Sequence, residues 1–265
     1  MTPKPKLIIT DLDRTLLKTD KSISQYTKNI FRKAQQSGIP VIFATARSPH
    51  HISKLLDDIP ADGIIANGGA IAIFRGKEIY RATLDPAIAN TIITRLLEQS
   101  KDLHIAAEIG SAYLYNDFES DGQWLSEFTP GFARQWDFTT PINKPVYKIP
   151  AQCGHEEALQ IAADLPDVSV IPFVGESWVC FGHANATKWQ GIKALAAHLN
   201  IDPQYIAAFG DDYNDIEMLA NCGMSVAVAN AIPEAKAAAK FHCSSNDDDG
   251  VANWIEKNCL CETEE

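Results

Sequence analysis

Two short groups of aspartates in this sequence sit where they could do chemistry together. Asp11-Leu12-Asp13 follows the apolar run Leu7 to Ile9, and Asp211-Asp212-Tyr213-Asn214-Asp215 follows the run Tyr205 to Phe209. Thr45 stands just beyond a third run, Ile39 to Phe43, and Lys188 opens a helical pattern. Carboxylates held a few ångströms apart repel by about 4 kcal/mol at an effective dielectric of about 20. A divalent cation resolves that repulsion, and an all-oxygen ligand set favours Mg2+. One Asp of such a set can act as a nucleophile and form an aspartyl phosphate. A second carboxyl can protonate a leaving alkoxide and later activate water. A Thr hydroxyl, backbone N–H groups, a Lys ammonium and the metal can hold phosphoryl oxygens, which is how most catalysis of phosphoryl transfer works.

These groups can meet only if the elements before them deliver them to one edge. Lys6 to Thr10 reads as a buried strand, Ser24 as the N-cap of a helix closed by Gly38, and Ile39 to Phe43 as a second strand. Ser48-Pro49 opens another helix, and Gly63 to Ala66 is a third strand before the turn Asn67-Gly68-Gly69. Strand alternating with helix predicts a doubly wound, Rossmann-like α/β parallel sheet, whose ligands bind beyond the carboxyl ends of the strands. The rhythm returns after residue 184: a helix over Thr187 to Leu199, a strand over Tyr205 to Phe209, and then helix, strand and helix to Ala239. A last helix is expected over Val251 to Lys257.

Between these halves the pattern differs. Pro86 to Gln99 and His155 to Asp164 read as helices. Leu103 to Ile109 and Ala112 to Tyr115 read as a hairpin about Gly110-Ser111, and Val146 to Ile149, Val168 to Phe173 and Trp178 to Phe181 as strands. This predicts an inserted α+β domain over 83–183, with residues 1–82 and 184–265 forming the core. Trp124, Phe128, Phe132 and Trp136 have near-helical spacing and are expected to pack inside the insertion.

Composition sets outer bounds. With 265 residues, 46% hydrophobic and 22% charged, the chain has the make-up of a globular protein of one or two domains. No apolar run approaches the roughly 18 to 20 residues of a membrane helix, and the polar start, Met1 to Lys6, predicts no signal peptide. Lys plus Arg number 23 against 34 Asp plus Glu, a net charge of -11, which disfavours a nucleic-acid backbone as partner. Six scattered cysteines without C-x-x-C spacing point to reduced thiols and a cytoplasmic protein. His50 and His51 lack partners at ligand spacing and are expected in surface or capping roles. The acidic tail Glu262 to Glu265 is expected to be disordered.

The segments D-L-D-R-T-L-L, A-T-A-R-S, T-K-W-Q-G-I-K-A-L and G-D-D-Y-N-D-I-E-M-L, in this order, resemble the four motifs of the haloacid dehalogenase (HAD) superfamily. The large insertion between the second and third resembles the Cof-type sugar phosphatases of subfamily IIB with a C2B cap. Ile64 to Gly69, Val226 to Ala231 and Asn246 to Ala252 extend the match, which covers 5–82 and 184–257. In the insertion the likeness is architectural only.

The resemblance implies a HAD-like core with an inserted cap that selects substrate. It implies Mg2+-dependent hydrolysis of small phosphomonoesters, sugar phosphates foremost, through an aspartyl-phosphate. Asp11 would be the nucleophile and a metal ligand, and Asp13 the general acid/base with its carbonyl on the metal. Thr45, Ala46, Arg47, Lys188 and Asn214 would bind the phosphoryl group or substrate, with Arg47 either supporting its loop or touching substrate. Lys188, preferred over Lys193 by its spacing, would pair with Asp11. Asp211 would be a direct metal ligand, and Asp215 would act through a metal-bound water or by orienting Lys188. The partner implied is a small phosphorylated metabolite, with no nucleic acid or membrane, handled by a monomer or small homo-oligomer.

Two residues depart from the family pattern. Arg14 stands where Gly is usual in D-x-D-G-T, and Trp189 where Gly follows the lysine. Gly permits backbone angles that Arg adopts at a cost. Within the same superfamily the alternative is a sugar phosphomutase; Arg14 adds the alternative of a catalytically weak phosphate-binding or signalling protein that it silences.

Overall fold

The computed structural model describes residues 4–59, 61–116, 131–173 and 177–260. Trp124, Phe128 and the acidic tail lie outside them. The chain divides into two compact units, Met1–Arg81 with Thr187–Glu265, and Ala82–Ala186.

The first unit is built on an eight-stranded sheet. Its strands are β1 (Leu7–Thr10), β2 (Val41–Ala44), β3 (Gly63–Ala66), β4 (Ile71–Phe74) and β5 (Lys77–Arg81), then β12 (Ile206–Gly210), β13 (Met224–Ala227) and β14 (Phe241–His242). Their order is β14-β13-β12-β1-β2-β3-β4-β5. The six strands from β14 to β3 are parallel, in register Leu7↔Ile206 and Ile8↔Val41 at the centre. Every residue of β1, β2, β3, β12 and β13 is buried. That is why these strands read as unbroken apolar runs: a parallel sheet is covered on both faces.

Helices cover it. α1 (Gln25–Gln36) packs against α8 (Gly250–Ile255), while α5 (Lys188–Leu199) packs on β3, β4 and β5 and against α6 (Ile216–Asn221), which meets α7 (Pro233–Ala238). α1 begins where Ser24 Oγ accepts the Thr27 N–H at 3.0 Å and buries Ile30, Phe31 and Ala34. Ser48 caps α2 (Pro49–Asp58) in the same way, accepting from the His51 N–H. The expectation of a purely parallel sheet needs one correction. β4 and β5 form an antiparallel extension, turned through Arg75 and Gly76 at φ 46° and 77°. Arg-Gly is a weak signal for that turn, and the exposed β5 carries no apolar run, so the hairpin was not visible in the sequence. β14 is two residues long and exposed, and escaped for the same reason.

The second unit holds a six-stranded sheet in the order β10-β11-β9-β6-β7-β8. Its elements are α3 (Pro86–Gln99), β6 (Ala106–Glu108), β7 (Tyr113–Tyr115), β8 (Ala133–Gln135), β9 (Lys148–Ala151), α4 (His155–Ala162), β10 (Val168–Pro172) and β11 (Val179–His183). All neighbours are antiparallel except β7 and β8, and β8 was not expected. Phe132 and Trp136 flank this strand, so the helical spacing read through them does not describe their local structure. The alternation of a strand sorts the faces. Ala107, Leu114, Ile149, Val179 and Phe181 join Ile92, Ile93 and Leu96 of α3 and Ala158 and Ile161 of α4 in one core. Ala106 and Tyr113 fall in a separate small cluster with Phe132. At the unit's end, the Ala184 N–H donates to Asp167 O at 2.7 Å and that of Ala186 to His183 O at 2.7 Å.

Candidate active site

The carboxyl ends of β1, β2 and β12 deliver the polar groups. Asp11 directly follows β1, and its N–H donates to Phe209 O at 2.9 Å, so its position is fixed by the neighbouring strand. Lys188 is the first residue of α5, behind the N-cap Thr187. Its ammonium donates to Asp11 Oδ1 at 2.6 Å and to Asp215 Oδ1 at 2.7 Å. The other oxygen of Asp215 accepts the N–H groups of Asp211 and Asp212 at 3.0 and 3.2 Å. This close packing needs Gly210, because a Cβ there would lie 2.5 Å from Asp215 Cβ. Gly69, at φ 111°, is required for a similar reason: a Cβ would lie 2.0 Å from the Thr187 carbonyl carbon, just ahead of Lys188.

One oxygen each of Asp11, Asp211 and Asp215 can be chosen so that all three lie within 4.8 Å of one another. All three residues are buried, as is Lys188. Three carboxylates facing one ammonium leave two negative charges uncompensated when all are ionised. Burial, then Asp215 and Asp211, push the Asp11 carboxyl up to about 8 despite the opposing pull of Lys188. Burial and Asp215 push Asp211 up to about 6, against the hydrogen bond from Thr15 Oγ1 at 2.7 Å. Burial disfavours the Lys188 ammonium, yet Asp11 and Asp215 outweigh it and hold the group firmly protonated. Groups strained in this way, with hard oxygen donors converging, fit a divalent cation of the Mg2+ type.

Thr45 is buried at the end of β2. Its N–H donates to Ile65 O at 2.8 Å, its carbonyl accepts the Gly68 N–H at 3.0 Å, and its Oγ1 accepts the Arg47 N–H at 3.1 Å. The loops after β2 and β3 are therefore locked together. Ala46 is exposed on the bend. Asp13 is not in the three-carboxylate cluster. Arg47 forks onto it, Nε to Oδ2 at 2.7 Å and Nη2 to Oδ1 at 2.6 Å, and Lys21 Nζ reaches Oδ1 at 2.7 Å. These hydrogen bonds overcome the desolvation of Asp13 and lower its pKa. Of the two roles open to Arg47, support of the loop is the one with visible contacts. Asn214 is half-buried on the turn Tyr213–Asp215, Lys193 is exposed, and Trp189 is half-buried beside Lys188.

Sequence reasoning missed Lys21 and Thr15, which touch Asp13 and Asp211. Both follow D-x-D within a dozen residues, but nothing in their spacing sets the turn that brings them back. Arg14 adopts φ 60° and ψ 5°, the left-handed conformation that Gly would take without cost.

The family model described as haloacid dehalogenase-like hydrolase matches residues 8–255. The 5-amino-6-(5-phospho-D-ribitylamino)uracil phosphatase YwtE of Bacillus subtilis (strain 168) is 26% identical over 289 residues, covering 95% of this chain and 97% of that one. A haloacid dehalogenase-like hydrolase from Bacteroides thetaiotaomicron shares the fold with a TM-score of 0.82 at 24% identity, covering 96% of this chain and 99% of that one. A structure described as the HAD subclass IIB sugar phosphatase BT4131 superposes with a TM-score of 0.81 at 22% identity, covering 95% and 98%.

Proposed function

The chain belongs to the haloacid dehalogenase-like hydrolases, and on that premise we propose that it is a phosphatase of subclass IIB that hydrolyses small phosphomonoesters, sugar phosphates foremost, through Asp11. The observation that carries this reading is the buried Lys188 bridging Asp11 and Asp215 at 2.6 and 2.7 Å inside a cluster of three carboxylates. A lysine there holds one Asp11 oxygen in place and favours its ionised, nucleophilic form against the burial that raises its pKa.

Asp11 attacks phosphorus, and the bond to the leaving oxygen breaks. Asp13 gives that oxygen its proton, having taken one up from solvent when Arg47 turns to the incoming phosphate and Lys21 no longer holds the carboxylate ionised. Asp13 then accepts a proton from the water that cleaves the phospho-Asp11 bond, releasing inorganic phosphate. Thr45, the backbone N–H of Ala46, Arg47 and Lys188 hold the phosphoryl oxygens, and Asn214 completes the pocket wall. Asp11 and Asp211, with the Asp13 carbonyl, would hold Mg2+, which supplies positive charge against the transferring group. Asp215, with both oxygens engaged by Lys188 and backbone N–H groups, orients the lysine and reaches the metal only indirectly.

The inserted unit selects the substrate and excludes water from the first step. No helix among the described residues is long and apolar enough to cross a membrane. Five described cysteines are free thiols, which suits a cytoplasmic enzyme, acting as a monomer or small homo-oligomer on small phosphorylated metabolites.

Phosphate release from a panel of sugar phosphates and one aryl phosphate, with Mg2+ and with EDTA, tests the reading. Release that needs Mg2+ and falls at least about 1000-fold in Asp11→Asn is expected, since a nucleophile has no substitute. Undiminished release from Asp11→Asn would end the proposal. Transfer of phosphate to a second sugar position without free phosphate would make the enzyme a mutase.

A further inference from the structure

The segment that leaves Asp11 carries two cations in a backbone conformation that costs a side chain. Arg14 has φ 60° and Lys21 φ 66°. Strain of this kind persists where the surrounding structure holds it, and it gathers at functional sites. Lys21 is fixed by its own loop: its N–H donates to Lys18 O at 2.8 Å, and the Lys18 N–H to Ser22 O at 3.0 Å. Its ammonium meets Asp13 Oδ1 at 2.7 Å while the side chain stays 58% exposed. Arg14 is exposed and follows Asp13 in the chain, and its guanidinium has no partner among the described residues. Arg75, a third cation at positive φ, differs in being paired with Asp62 at 3.1 Å.

The charges here do not balance. Asp13 supplies one carboxylate, yet Arg47 forks onto it, Lys21 adds a third bond, and Arg14 stands next to it. The other carboxylates of the loop are engaged elsewhere: Asp247 accepts the Thr19 N–H and hydroxyl at 2.8 Å each, and Asp20 accepts the Ser22 N–H at 2.9 Å. On a chain of net charge -11, this is a local reversal of sign. In the proposed reaction the phosphoryl group takes Arg47. Arg14 and Lys21 then flank the oxygen that Asp13 protonates, and both have charge left for what is attached to it.

We propose that Arg14 and Lys21 form a cationic pair that selects phosphomonoesters whose leaving group carries a further oxyanion, a carboxylate or a second phosphate, within a few carbons of the scissile oxygen. The proposal deepens the phosphatase reading and rests on Asp13 as the group that protonates the leaving oxygen. It gives the strained arginine a use that glycine lacks: a planar guanidinium forks onto either oxyanion, while the lysine adds a point charge.

The test uses pairs of substrates that differ in that charge: glycerol 3-phosphate against 3-phosphoglycerate for the carboxylate, and fructose 6-phosphate against fructose 1,6-bisphosphate for the second phosphate. Values of kcat/KM with Mg2+ are compared for the wild type, Arg14→Gly, Lys21→Gln and the double variant. The wild type is expected to favour the charged member of at least one pair about tenfold, the size of one charge-assisted contact. The pair that shows it identifies the oxyanion. Arg14→Gly should cut that preference at least about threefold, and the double variant should bring it within about twofold of unity. Lys21→Arg should keep it. Raising the ionic strength from about 0.02 to 0.5 M should shrink the wild-type preference and leave the double variant unmoved. A wild type that favours the charged member of neither pair, or a preference that survives the double variant, would overturn the proposal. So would a rise on all four compounds in Arg14→Gly, which would make Arg14 a brake. Calorimetric binding of the same compounds in an Asp11→Asn background, with and without Arg14→Gly, reads the preference without turnover. If the wild type releases no phosphate in an Asp11-dependent manner, the phosphatase reading fails, while binding still decides whether the pair takes an anion.

Discussion

The edge of the core sheet and the second face of the inserted sheet both bury charge, but they do so differently. At the core edge Lys188 is bonded to two carboxylates at 2.6 and 2.7 Å, and Asp215 accepts two further backbone N–H groups. In the inserted unit Glu108 is 1% exposed, and the Lys148 ammonium facing it from β9 stands 3.7 Å away. The first pair is set to hydrogen-bond geometry on several sides. The second is an ion pair beyond that length, on a sheet face with the bulky Tyr113, whose phenol burial pushes well above its usual range. A reacting atom tolerates little misplacement, so the groups around it are over-determined. On the proposed reading, in which the inserted unit selects the substrate, the ion pair on its sheet face does not have to meet that demand.

The sharpest way to break this comparison is to remove the ammonium at the core edge. Lys188→Met leaves Asp11 and Asp215 buried without their shared cation, and breaking a buried pair costs about 3 to 5 kcal/mol. Turnover should fall about 100-fold to 1000-fold on every substrate alike, since a fixed charge on the transferring group is lost. The destabilisation has a pH signature. Without Lys188 the Asp11 pKa moves further above its already raised position near 8, so at low pH the carboxyl escapes the penalty by taking a proton. Urea unfolding should show a deficit that is nearly constant below about pH 8, where Asp11 is protonated with or without the lysine, and that grows from about pH 8 to 10. A deficit independent of pH would mean that the lysine acts through packing rather than charge.

Metal removal gives the next effect, again with a sign fixed by the titrations. Asp11 and Asp211 have folded pKa values near 8 and 6, both above the ordinary 3.8. The metal-free folded chain therefore binds more protons than the unfolded one from about pH 4 to 8, and their contribution to stability is lost as pH rises through that window. In EDTA the Tm should fall between pH 5.5 and 8 on account of these groups. Mg2+ should restore it most at pH 8, and binding should release protons, so that affinity tightens by up to about tenfold per pH unit for each proton displaced. Asp13, whose pKa is lowered by Arg47 and Lys21, works in the opposite sense and only at more acid pH. A Mg2+ affinity that is flat from pH 6 to 8, read by titration calorimetry in buffers of different ionisation heat, would remove the carboxylate cluster as the metal site.

How much of this was legible follows the same division. β1, β2, β3 and β12 announced themselves because strands covered on both faces must be apolar throughout, and the residues at their ends are the ones a ligand can reach. Lys188 was distinguishable from Lys193 only by motif spacing, yet the first is buried on Asp11 and the second exposed. What stayed hidden depends on backbone geometry that side-chain patterns do not encode. The Arg75-Gly76 turn, the parallel pairing of β8, and the return of Lys21 to Asp13 are of that kind.

The smallest effect tests the looser side of the comparison. Lys148→Met removes the ammonium opposite Glu108 on a pair that is partly open to solvent, with the lysine side chain 17% exposed. A loss of about 1 to 3 kcal/mol in stability is expected, the range of an ordinary buried substitution. Turnover of the aryl phosphate should stay within about threefold, because no group bonded to Asp11 has changed. The ratio of kcat/KM between two sugar phosphates should move further than that, if the inserted unit chooses among substrates. Were the aryl phosphate to suffer as it does in Lys188→Met, the Glu108 and Lys148 pair would belong to the chemistry itself. The division between a rigid reacting edge and an adaptable recognition face would then be wrong at its clearest point.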